Sequence, residues 1–425
     1  MKIATKRLSY EKAMAKKRPA HRKPLRPMFL LQIVIRILAI IDLKPTRFTY
    51  DTHGMEKVGK KEPCLILMNH SSFIDLKIAS RIFFPRPYGI VCTTDGFVGK
   101  EWLMRLIGCI PTQKFVSDMT LIRDMEHLLH KKKTSVLMFP EAGYSFDGRA
   151  TTLPRKMGIL LKKLNVPVVT VITEGAFARD PLYNCLQKRK VKVRADVKYL
   201  LSKEDIRNRS VAELDAMIDE EFSFDNFAWQ QKNNVVINET FRADGLNRIL
   251  YRCPHCGREG RMEGKGIKLT CRNCGKVYEL TELGYLQAVD GQTAFTHVPN
   301  WYAWERGQVR NELENGTYRM ETKVDIAMLV DYKALYQVGT GTLTHDENGF
   351  HLVGCNGKID YTQGPLACHS LNADYYWYEI GDVICIGNKD VLYYCFPRGG
   401  VDVVTKTRLA TEELYKLKKS RRVKI

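Results

Sequence analysis

Between about residues 49 and 201, short apolar runs alternate with longer stretches in which apolar residues recur every three or four positions. Short uninterrupted runs are typical of buried strands, and the longer period is that of a helix with one buried face. The predicted strands are residues 64–68, 88–92, 135–139, 166–173 and 191–200, and the predicted helices include 70–82 and 117–130. This alternation predicts an α/β domain with a mostly parallel sheet flanked by helices. A capping box at Ser210 and Glu213 begins its last helix, so the domain is expected to end near residue 222.

The run at residues 28–41 is apolar except at Gln32 and Arg36. As a helix it would span about 21 Å, which is less than the roughly 30 Å hydrocarbon core of a bilayer. Because Gln32 and Arg36 are four residues apart, they share one helix face. The pattern therefore predicts a helix lying in the membrane interface, with this polar stripe toward the headgroups. A helix buried against the rest of the protein is the alternative.

After about residue 300 the pattern changes to short alternating segments, at residues 341–344, 349–353, 374–378, 382–386 and 391–396. Asp346-Glu-Asn-Gly349 is typical of a hairpin turn, and a closing helix is predicted at about residues 411–418. These elements predict a small β-rich domain. A pleckstrin-homology-like barrel is the favoured interpretation, and another small β-sandwich is the alternative.

Two CxxC pairs lie between these regions, fourteen residues apart. Cys253 and Cys256 form the first pair and Cys271 and Cys274 the second, and a glycine follows each pair. Four thiolates at this spacing are typical of a zinc ribbon, and they leave no open position on the metal for catalysis. The sequence thus predicts one structural zinc, with His255 in a knuckle rather than among the ligands.

The predicted organisation has six parts in chain order. They are a basic arm with an interfacial helix (1–47), the α/β domain (48–222), a linker (223–250), the zinc ribbon (251–282), the β-rich domain (300–415) and a basic tail (416–425). The aromatic residues Phe224, Phe227 and Trp229 are expected to dock the linker on the α/β domain.

The formal net charge of +20 is concentrated at the two ends of the chain. Residues 1–26 hold ten Lys or Arg against Glu11 alone, and residues 416–424 add six more basic residues. Such arms suit an anionic membrane surface or nucleic acid, or else are solvated, partly disordered tails. No secretory signal pattern accompanies the twelve Cys, so we expect thiols or metal in a reducing compartment and place the protein on the cytoplasmic side.

The candidate chemistry begins at the end of the 64–68 strand, where His70 lies at a strand-to-helix turn. Asp75, five residues on, can accept an imidazole N–H and leave the other ring nitrogen free as a general base. This spacing alone is weak, since a histidine after a strand is more often structural. Glu141 follows the 135–139 strand, and the carboxyl ends of parallel strands lie at one edge of a sheet.

Three motifs together resemble the glycerolipid acyltransferase family, which includes lysophosphatidic acid acyltransferase. Its NHxxxxD motif is matched by Asn69, His70 and Asp75, its FPEGTRS motif by Phe139, Pro140, Glu141 and Ser145, and its V-P-hydrophobic strand from Val166. The resemblance covers roughly residues 48–222. It implies acyl transfer, and membrane attachment through an N-terminal helix.

Two motifs depart from the family pattern. The second motif keeps Gly108 and Ile110 but has Lys114 where the family has a phosphate-binding arginine. In the third, Ala142-Gly143-Tyr144 replaces Gly-Thr-Arg, and Arg149 or Arg155 is close enough in sequence to substitute for the missing arginine. These changes leave acyl transfer possible and put the identity of the acceptor in doubt.

The resemblance and the residues lead to one hypothesis: a fatty acyl group passes from a thioester, acyl-CoA or acyl-carrier protein, to a lysophospholipid hydroxyl, with 1-acyl-glycerol-3-phosphate the leading acceptor. His70 and Asp75 are the expected catalytic residues. The expected substrate-binding residues are Asn69, Lys114, Glu141, Gly143 and Arg149. Amides at the helix start are expected to stabilise the oxyanion. The membrane surface is the expected partner, with a peripheral position on the cytoplasmic face of the cell membrane. The alternative is a non-catalytic membrane- or nucleic-acid-binding protein with a degenerate acyltransferase shell, although nucleic acid is not the favoured partner.

Overall fold

A computed structural model of the chain describes residues 2–116, 118–153, 157–399 and 403–423. These residues fall into two compact units. The α/β unit comprises Ala20–Asp180 and Lys188–Trp229. The β-rich unit comprises the described parts of Met1–Pro19, Pro181–Gln187 and Gln230–Ile425.

The α/β unit is built on a seven-stranded sheet. Across the sheet the strands are Thr49–His53, Arg194–Leu201, Val168–Glu174, Leu65–Met68, Ser135–Met138, Tyr88–Thr93 and Cys109–Thr112. Neighbours are parallel except Val168–Glu174 and Arg194–Leu201, so the predicted mostly parallel sheet is confirmed. The pattern misses the two edge strands: Thr49–His53 is polar and largely exposed, and Pro111 interrupts the signal of Cys109–Thr112.

Helices flank this sheet and enclose its core. They are Phe29–Leu43, Asp75–Phe83, Glu101–Leu106, Met119–Glu126, Met157–Leu164, Ala176–Arg179, Lys203–Asn208 and Val211–Glu221, and Asn226–Lys232 begins in this unit. The core joins strand residues such as Leu65 and Val136 to helix residues such as Met125, Leu161 and Leu214. The predicted capping box is present, because Ser210 and Glu213 each bond the other's backbone N–H.

The helix Phe29–Leu43 lies where the apolar run predicts it, but its polar stripe does not face outward. Arg36 donates a hydrogen bond of 2.9 Å to the carbonyl of Arg81, and Ala39 and Leu43 are buried. The outward face is apolar and includes Leu30, Ile37 and Ile41, whose exposed fractions are 64, 53 and 61%. The expected orientation toward headgroups is therefore wrong. Nowhere in the described ranges is a helix both long enough and apolar enough to cross a membrane.

The β-rich unit contains a large antiparallel sheet. In sheet order its strands are Ile359–Gln363, Gly349–Gly354, Leu335–Asp346, Met320–Leu329, Leu392–Pro397, Gly381–Gly387 and Asn372–Trp377. Each of the five predicted segments overlaps one of these strands, and Asp346 pairs with Gly349 at the predicted hairpin. The closing helix is longer than predicted, at Val403–Val423. The pleckstrin-homology-like topology stays a prediction.

The first described residues belong to this sheet, which their charge does not predict. Thr5–Arg7 forms a strand parallel to Leu335–Asp346, and Ser9 caps the short helix Tyr10–Met14. The interpretation of this segment as a disordered tail is wrong for these residues. Backbone pairing fixes them although the side chains of the strand are exposed.

The predicted ribbon forms a small antiparallel sheet in the same unit, packed against the helix Val298–Glu314. Its strands are Met262–Lys265, Lys268–Cys271, Val277–Leu280 and Leu286–Ala288. The indole N–H of Trp301, on that helix, donates to the carbonyl of Arg252 over 3.0 Å. Part of the linker docks as expected, since the Phe227 ring packs against Phe177 in the α/β unit, with ring centroids 5.8 Å apart.

Candidate active site

The predicted histidine and aspartate meet at the carboxyl end of the central strand Leu65–Met68. His70 Nδ1 lies 2.9 Å from Asp75 Oδ2, and the same oxygen accepts the N–H groups of Ser71 (2.9 Å) and Ser72 (3.1 Å). Because this oxygen accepts two N–H donors, it favours the tautomer in which His70 donates its Nδ1–H and leaves the Nε2 lone pair for a substrate. The helix begins at Asp75 rather than at His70, because this carboxylate folds residues 70–74 into a turn.

Burial sets the electrostatics of the pair. Burial lowers the pKa of His70 well below its ordinary value of 6.5, and the positive charge of Lys114 lowers it further. Burial raises the pKa of Asp75, and the amides of Ser72 and Ser71 oppose that rise. The imidazole is therefore neutral at physiological pH, as a general base must be.

Asn69 is buried and fixes the turn rather than facing a substrate. Its Nδ2 donates to Ser71 Oγ (3.1 Å) and to the carbonyl of Thr173 (3.2 Å). Its Oδ1 accepts from the N–H (2.8 Å) and the hydroxyl (3.0 Å) of Thr173, at the end of the adjacent strand. With both amide atoms bonded inside the protein, these contacts do not support the expected substrate-binding role.

Glu141 ties two loops together at the same edge of the sheet. Its Oε2 accepts the backbone N–H of His70 (2.9 Å), and its Oε1 accepts the N–H (2.8 Å) and hydroxyl (3.1 Å) of Thr151. The carboxylate is almost fully buried. These bonds show Glu141 holding the His70 turn to the loop of Thr151, whereas the sequence predicts that it binds substrate.

The altered third motif surrounds His70 with a loop of unusual geometry. Ala142 has φ of +55°, a left-handed conformation that glycine adopts more easily. Gly143 is buried, yet a Cβ built on it would meet no protein atom within 4 Å. Tyr144 stacks on the imidazole of His70, with ring centroids 3.8 Å apart. Gly143 therefore borders open space in the loop whose Tyr144 stacks on His70.

The candidate phosphate-binding residues occupy different environments. Lys114 acts on His70 through its charge. The Nε of Arg149 donates to Asp225 over 2.8 Å, which favours a structural role for this arginine. Arg155 lies outside the described residues. Lys114 is thus close enough for its charge to act on His70, whereas Arg149 forms an ion pair with Asp225.

One feature of the turn, its backbone amides, differs from what the sequence predicts. A second feature, the bond between Ser72 and Asp180, is not predicted by the sequence. The amides of His70, Ser71, Ser72 and Ile74 are already bonded to protein oxygens, so the expectation that they stabilise an oxyanion is wrong for these four. Behind the turn, the Ser72 hydroxyl donates to Asp180, which also pairs with Arg179 at 2.7 Å. Ser72 and Asp180 are 108 positions apart, and no local pattern links them.

The four cysteines of the β-rich unit converge as predicted. Their Sγ atoms all lie within 4.8 Å of one another, with Cys253 and Cys274 3.8 Å apart and Cys256 and Cys271 3.7 Å apart. Four sulfurs held tetrahedrally at ~2.3 Å from a zinc ion are separated by roughly 3.8 Å. Gly257 and Gly275 have φ of +72° and +75°, as tight knuckles require. The cluster fits a metal such as zinc, and His255 is outside it.

Comparison with known proteins agrees with the site in the α/β unit. The model of the acyltransferase family matches residues 49–174, the span that carries the catalytic turn and the third motif. This part of the chain is similar to that family. A chloroplastic 1-acyl-sn-glycerol-3-phosphate acyltransferase of Brassica napus is 29% identical over 147 residues, which are 33% of this chain. The chain spans 42% of the length of that relative.

A solved structure also overlaps the chain. The 1-acyl-sn-glycerophosphate acyltransferase PlsC of Thermotoga maritima is 17% identical, with a TM-score of 0.38. The overlap covers 45% of this chain and 76% of PlsC. The structural overlap is loose, and the similarity to acyltransferases is seen in the sequence matches.

Proposed function

We propose that the chain is a membrane-associated O-acyltransferase that moves a fatty acyl group from a thioester to a hydroxyl of a lysophospholipid. The observation that carries this proposal is the 2.9 Å hydrogen bond between His70 Nδ1 and Asp75 Oδ2 within the acyltransferase domain. It orients a neutral imidazole whose Nε2 acts as the general base.

The residues support a direct transfer. His70 Nε2 removes the proton of the acceptor hydroxyl while that oxygen attacks the thioester carbonyl carbon. The C–O bond forms, the C–S bond of the tetrahedral intermediate breaks, and the imidazolium returns its proton to the leaving thiolate. Asp75 stabilises the transient imidazolium through the bond that orients it. The step involves no acyl-enzyme.

Lys114 and Gly143 shape the proposed acceptor site. The charge of Lys114 acts on His70, so it can also attract an anionic group attached to the acceptor. The open space at Gly143 leaves room for that acceptor beside the base. 1-Acyl-glycerol-3-phosphate is the first acceptor to test, since the Brassica napus relative is named for it. Either acyl-CoA or acyl-carrier protein would serve as donor.

The proposed attachment to a membrane rests on the helix Phe29–Leu43. Its outward face exposes seven large apolar side chains: Phe29, Leu30, Val34, Ile37, Leu38, Ile40 and Ile41. Arg22, Lys23 and Arg26, just before the helix, are exposed and can meet anionic headgroups. We infer that the apolar face inserts into one leaflet, and we propose a peripheral position on the cytoplasmic face of the membrane.

In the β-rich unit, Cys253, Cys256, Cys271 and Cys274 would hold one structural zinc. Four thiolates fill its coordination sphere, so the metal would supply folding energy to the ribbon. We place no catalytic step in this unit, and we propose docking or regulation as its role.

The test is a product assay with purified full-length chain. The protein is incubated with acyl-CoA or acyl-carrier protein thioester and a panel of lysophospholipids, and the lipids are identified by mass spectrometry. The proposal expects a diacyl product with at least one donor and acceptor pair. Vesicle or nucleic-acid binding without any acyl product would instead favour the degenerate, non-catalytic shell.

A further inference from the structure

Aromatic rings cover both faces of the His70 imidazole. The Phe139 ring stacks on one face, with centroids 4.1 Å apart and an interplanar angle of 21°. The Tyr144 ring stacks on the imidazole at 3.8 Å and 29°. Phe73 stacks in turn on Tyr144, with centroids 5.2 Å apart. The imidazole is therefore enclosed above and below its plane, and a substrate reaches it at the ring edge.

The loop that carries Tyr144 is fixed to the catalytic turn. The N–H of Ser145 donates to the carbonyl of His70 over 3.3 Å. The Ser145 hydroxyl donates to the carbonyl of Arg149 (2.6 Å) and accepts the N–H of Gly148 (2.9 Å). These bonds of Ser145 fix the backbone of the loop beside His70. The loop therefore holds the Tyr144 ring against the imidazole.

We propose that Tyr144 is a positioning residue of the acyl transfer: its ring closes one face of His70 and restricts the acceptor hydroxyl to an in-plane approach at Nε2. This inference rests on the proposed function and deepens it. Asp75 fixes one ring edge through Nδ1, and the two aromatic rings prevent the imidazole from tilting away from that bond. The remaining edge carries the lone pair that must point at the hydroxyl.

The same ring excludes water from the base, so its removal has a predictable electrostatic effect. Among the described residues, the charged groups that contact His70 or act on it are Asp75 on the following helix, Lys114 in the loop after Cys109–Thr112, and Glu141, which accepts the His70 N–H. Asp180 accepts the Ser72 hydroxyl near Asp75, and burial, with a smaller contribution from the Asp75 charge, raises the pKa of Asp180. None of these groups changes when Tyr144 is replaced. Loss of the ring therefore hydrates the imidazole and raises the pKa of His70 toward 6.5.

The first measurement needs no activity. Histidine ring signals of the full-length protein are titrated by NMR, and the His70 signal is assigned by its loss in His70→Ala. Tyr144→Ala, and Tyr144→Leu if the alanine variant does not fold, should titrate at higher pH than the wild type. Tyr144→Phe keeps the stacked ring and should titrate as the wild type does. Phe73→Leu, which removes a ring that contacts Tyr144, is the matched control and should leave the titration of His70 unchanged.

The second measurement is the pH profile of kcat/KM with the acceptor found in the product assay. A neutral base is required, so activity falls as pH drops through the pKa of His70, and this acid limb should move to higher pH in Tyr144→Ala. The plateau should fall by roughly 2- to 10-fold, the value of one lost aromatic contact. Tyr144→Phe should restore both features.

Two results would overturn the positioning role. The first is a titration of His70 in Tyr144→Ala that matches that of the wild type. The second is a kcat/KM for Tyr144→Phe as low as that of Tyr144→Ala, which would assign the effect to the hydroxyl. Because the NMR titration does not require turnover, a wild type without acyl transfer would contradict the proposed function separately.

Discussion

At the scale of residues, one oxygen atom organises the catalytic turn. Asp75 Oδ2 accepts the Nδ1–H of His70 and the amides of Ser71 and Ser72. The sequence predicts the His–Asp pair because five residues span a single turn. It cannot predict Thr173 or Asp180, which reach this turn from a different strand and the segment after it.

Gly143→Ala separates folding from substrate binding. An added Cβ would meet no protein atom within 4 Å, and the backbone is not in the left-handed region, so stability should stay within about 0.5 kcal/mol. If the acceptor fills the space beside Gly143, kcat/KM should fall by at least about 10-fold, since small misplacements cost this much. Urea unfolding and initial rates measure the two effects.

The matched control for that variant is Gly307→Ala, on the exposed surface of the helix Val298–Glu314. Nothing lies within 4 Å of its added Cβ either, and alanine should stabilise the helix by about 1 kcal/mol without altering the rate. An undiminished rate in Gly143→Ala would remove the acceptor from this space.

Lys114→Gln tests the electrostatic role of the second-motif cation. The positive charge lowers the pKa of His70, so its removal should raise that pKa and move the acid limb of kcat/KM to higher pH. If the lysine binds the headgroup as proposed, the KM for an acceptor bearing phosphate should rise more than kcat falls. The exposed Lys163→Gln is the control. An acid limb at the same pH in Lys114→Gln as in the wild type would contradict this role.

At the scale of elements, the helix Phe29–Leu43 shows what periodicity determines and what it leaves open. Apolar patterning places the helix almost to the residue, whereas the direction of its polar stripe depends on the carbonyl of Arg81, 45 positions from Arg36. The edge strand Thr49–His53 is missed for a related reason. It buries little apolar surface, and pairing with its neighbour fixes it.

We expect the apolar face of this helix to bind vesicles. Leu30→Ser, Ile37→Ser and Ile41→Ser combined should weaken co-sedimentation with phosphatidylglycerol-containing vesicles by roughly 100-fold or more, because each side chain loses its burial in lipid. High salt should weaken the wild type only in part, since it screens the charges alone. Point substitutions are preferable to a deletion, which would also remove the strand Thr5–Arg7.

The control for the triple variant replaces two other exposed apolar residues of the same unit, Met119 and Ile159, with Ser. Its vesicle binding should equal that of the wild type. Equal loss in both variants would mean that exposed apolar area in general, and not this helix, governs the binding.

At the scale of the whole molecule, the predicted zinc ribbon and β-rich domain lie in one compact unit. The CxxC spacing predicts the metal cluster from local information alone. Within this unit the ribbon packs on the helix Val298–Glu314, because the amide of Arg252 donates to buried Glu305 (2.8 Å) and Tyr278 packs on buried Trp301 (5.0 Å). Such contacts join residues far apart in sequence, so the periodicity of apolar residues does not predict them.

Zinc analysis tests this unit. The purified chain should contain about one zinc, and Cys256→Ser with Cys274→Ser should lose it, because a structural site needs all four thiolates. Metal loss should also expose Trp301 and shift its fluorescence to longer wavelength, since binding contributes on the order of 10–16 kcal/mol to folding such a site. Cys355→Ser, outside the cluster, should keep the metal. Chain purified without chelator and free of zinc would contradict the assignment.

The proposed mechanism depends most on His70 as the general base. The most direct measurement is the rate of acyl transfer by His70→Ala under conditions in which the wild type forms product. The variant should retain the fold, checked by its thermal unfolding, and lose on the order of 10²–10⁴ in kcat. A His70→Ala protein that transfers the acyl group at the wild-type rate would contradict the mechanism.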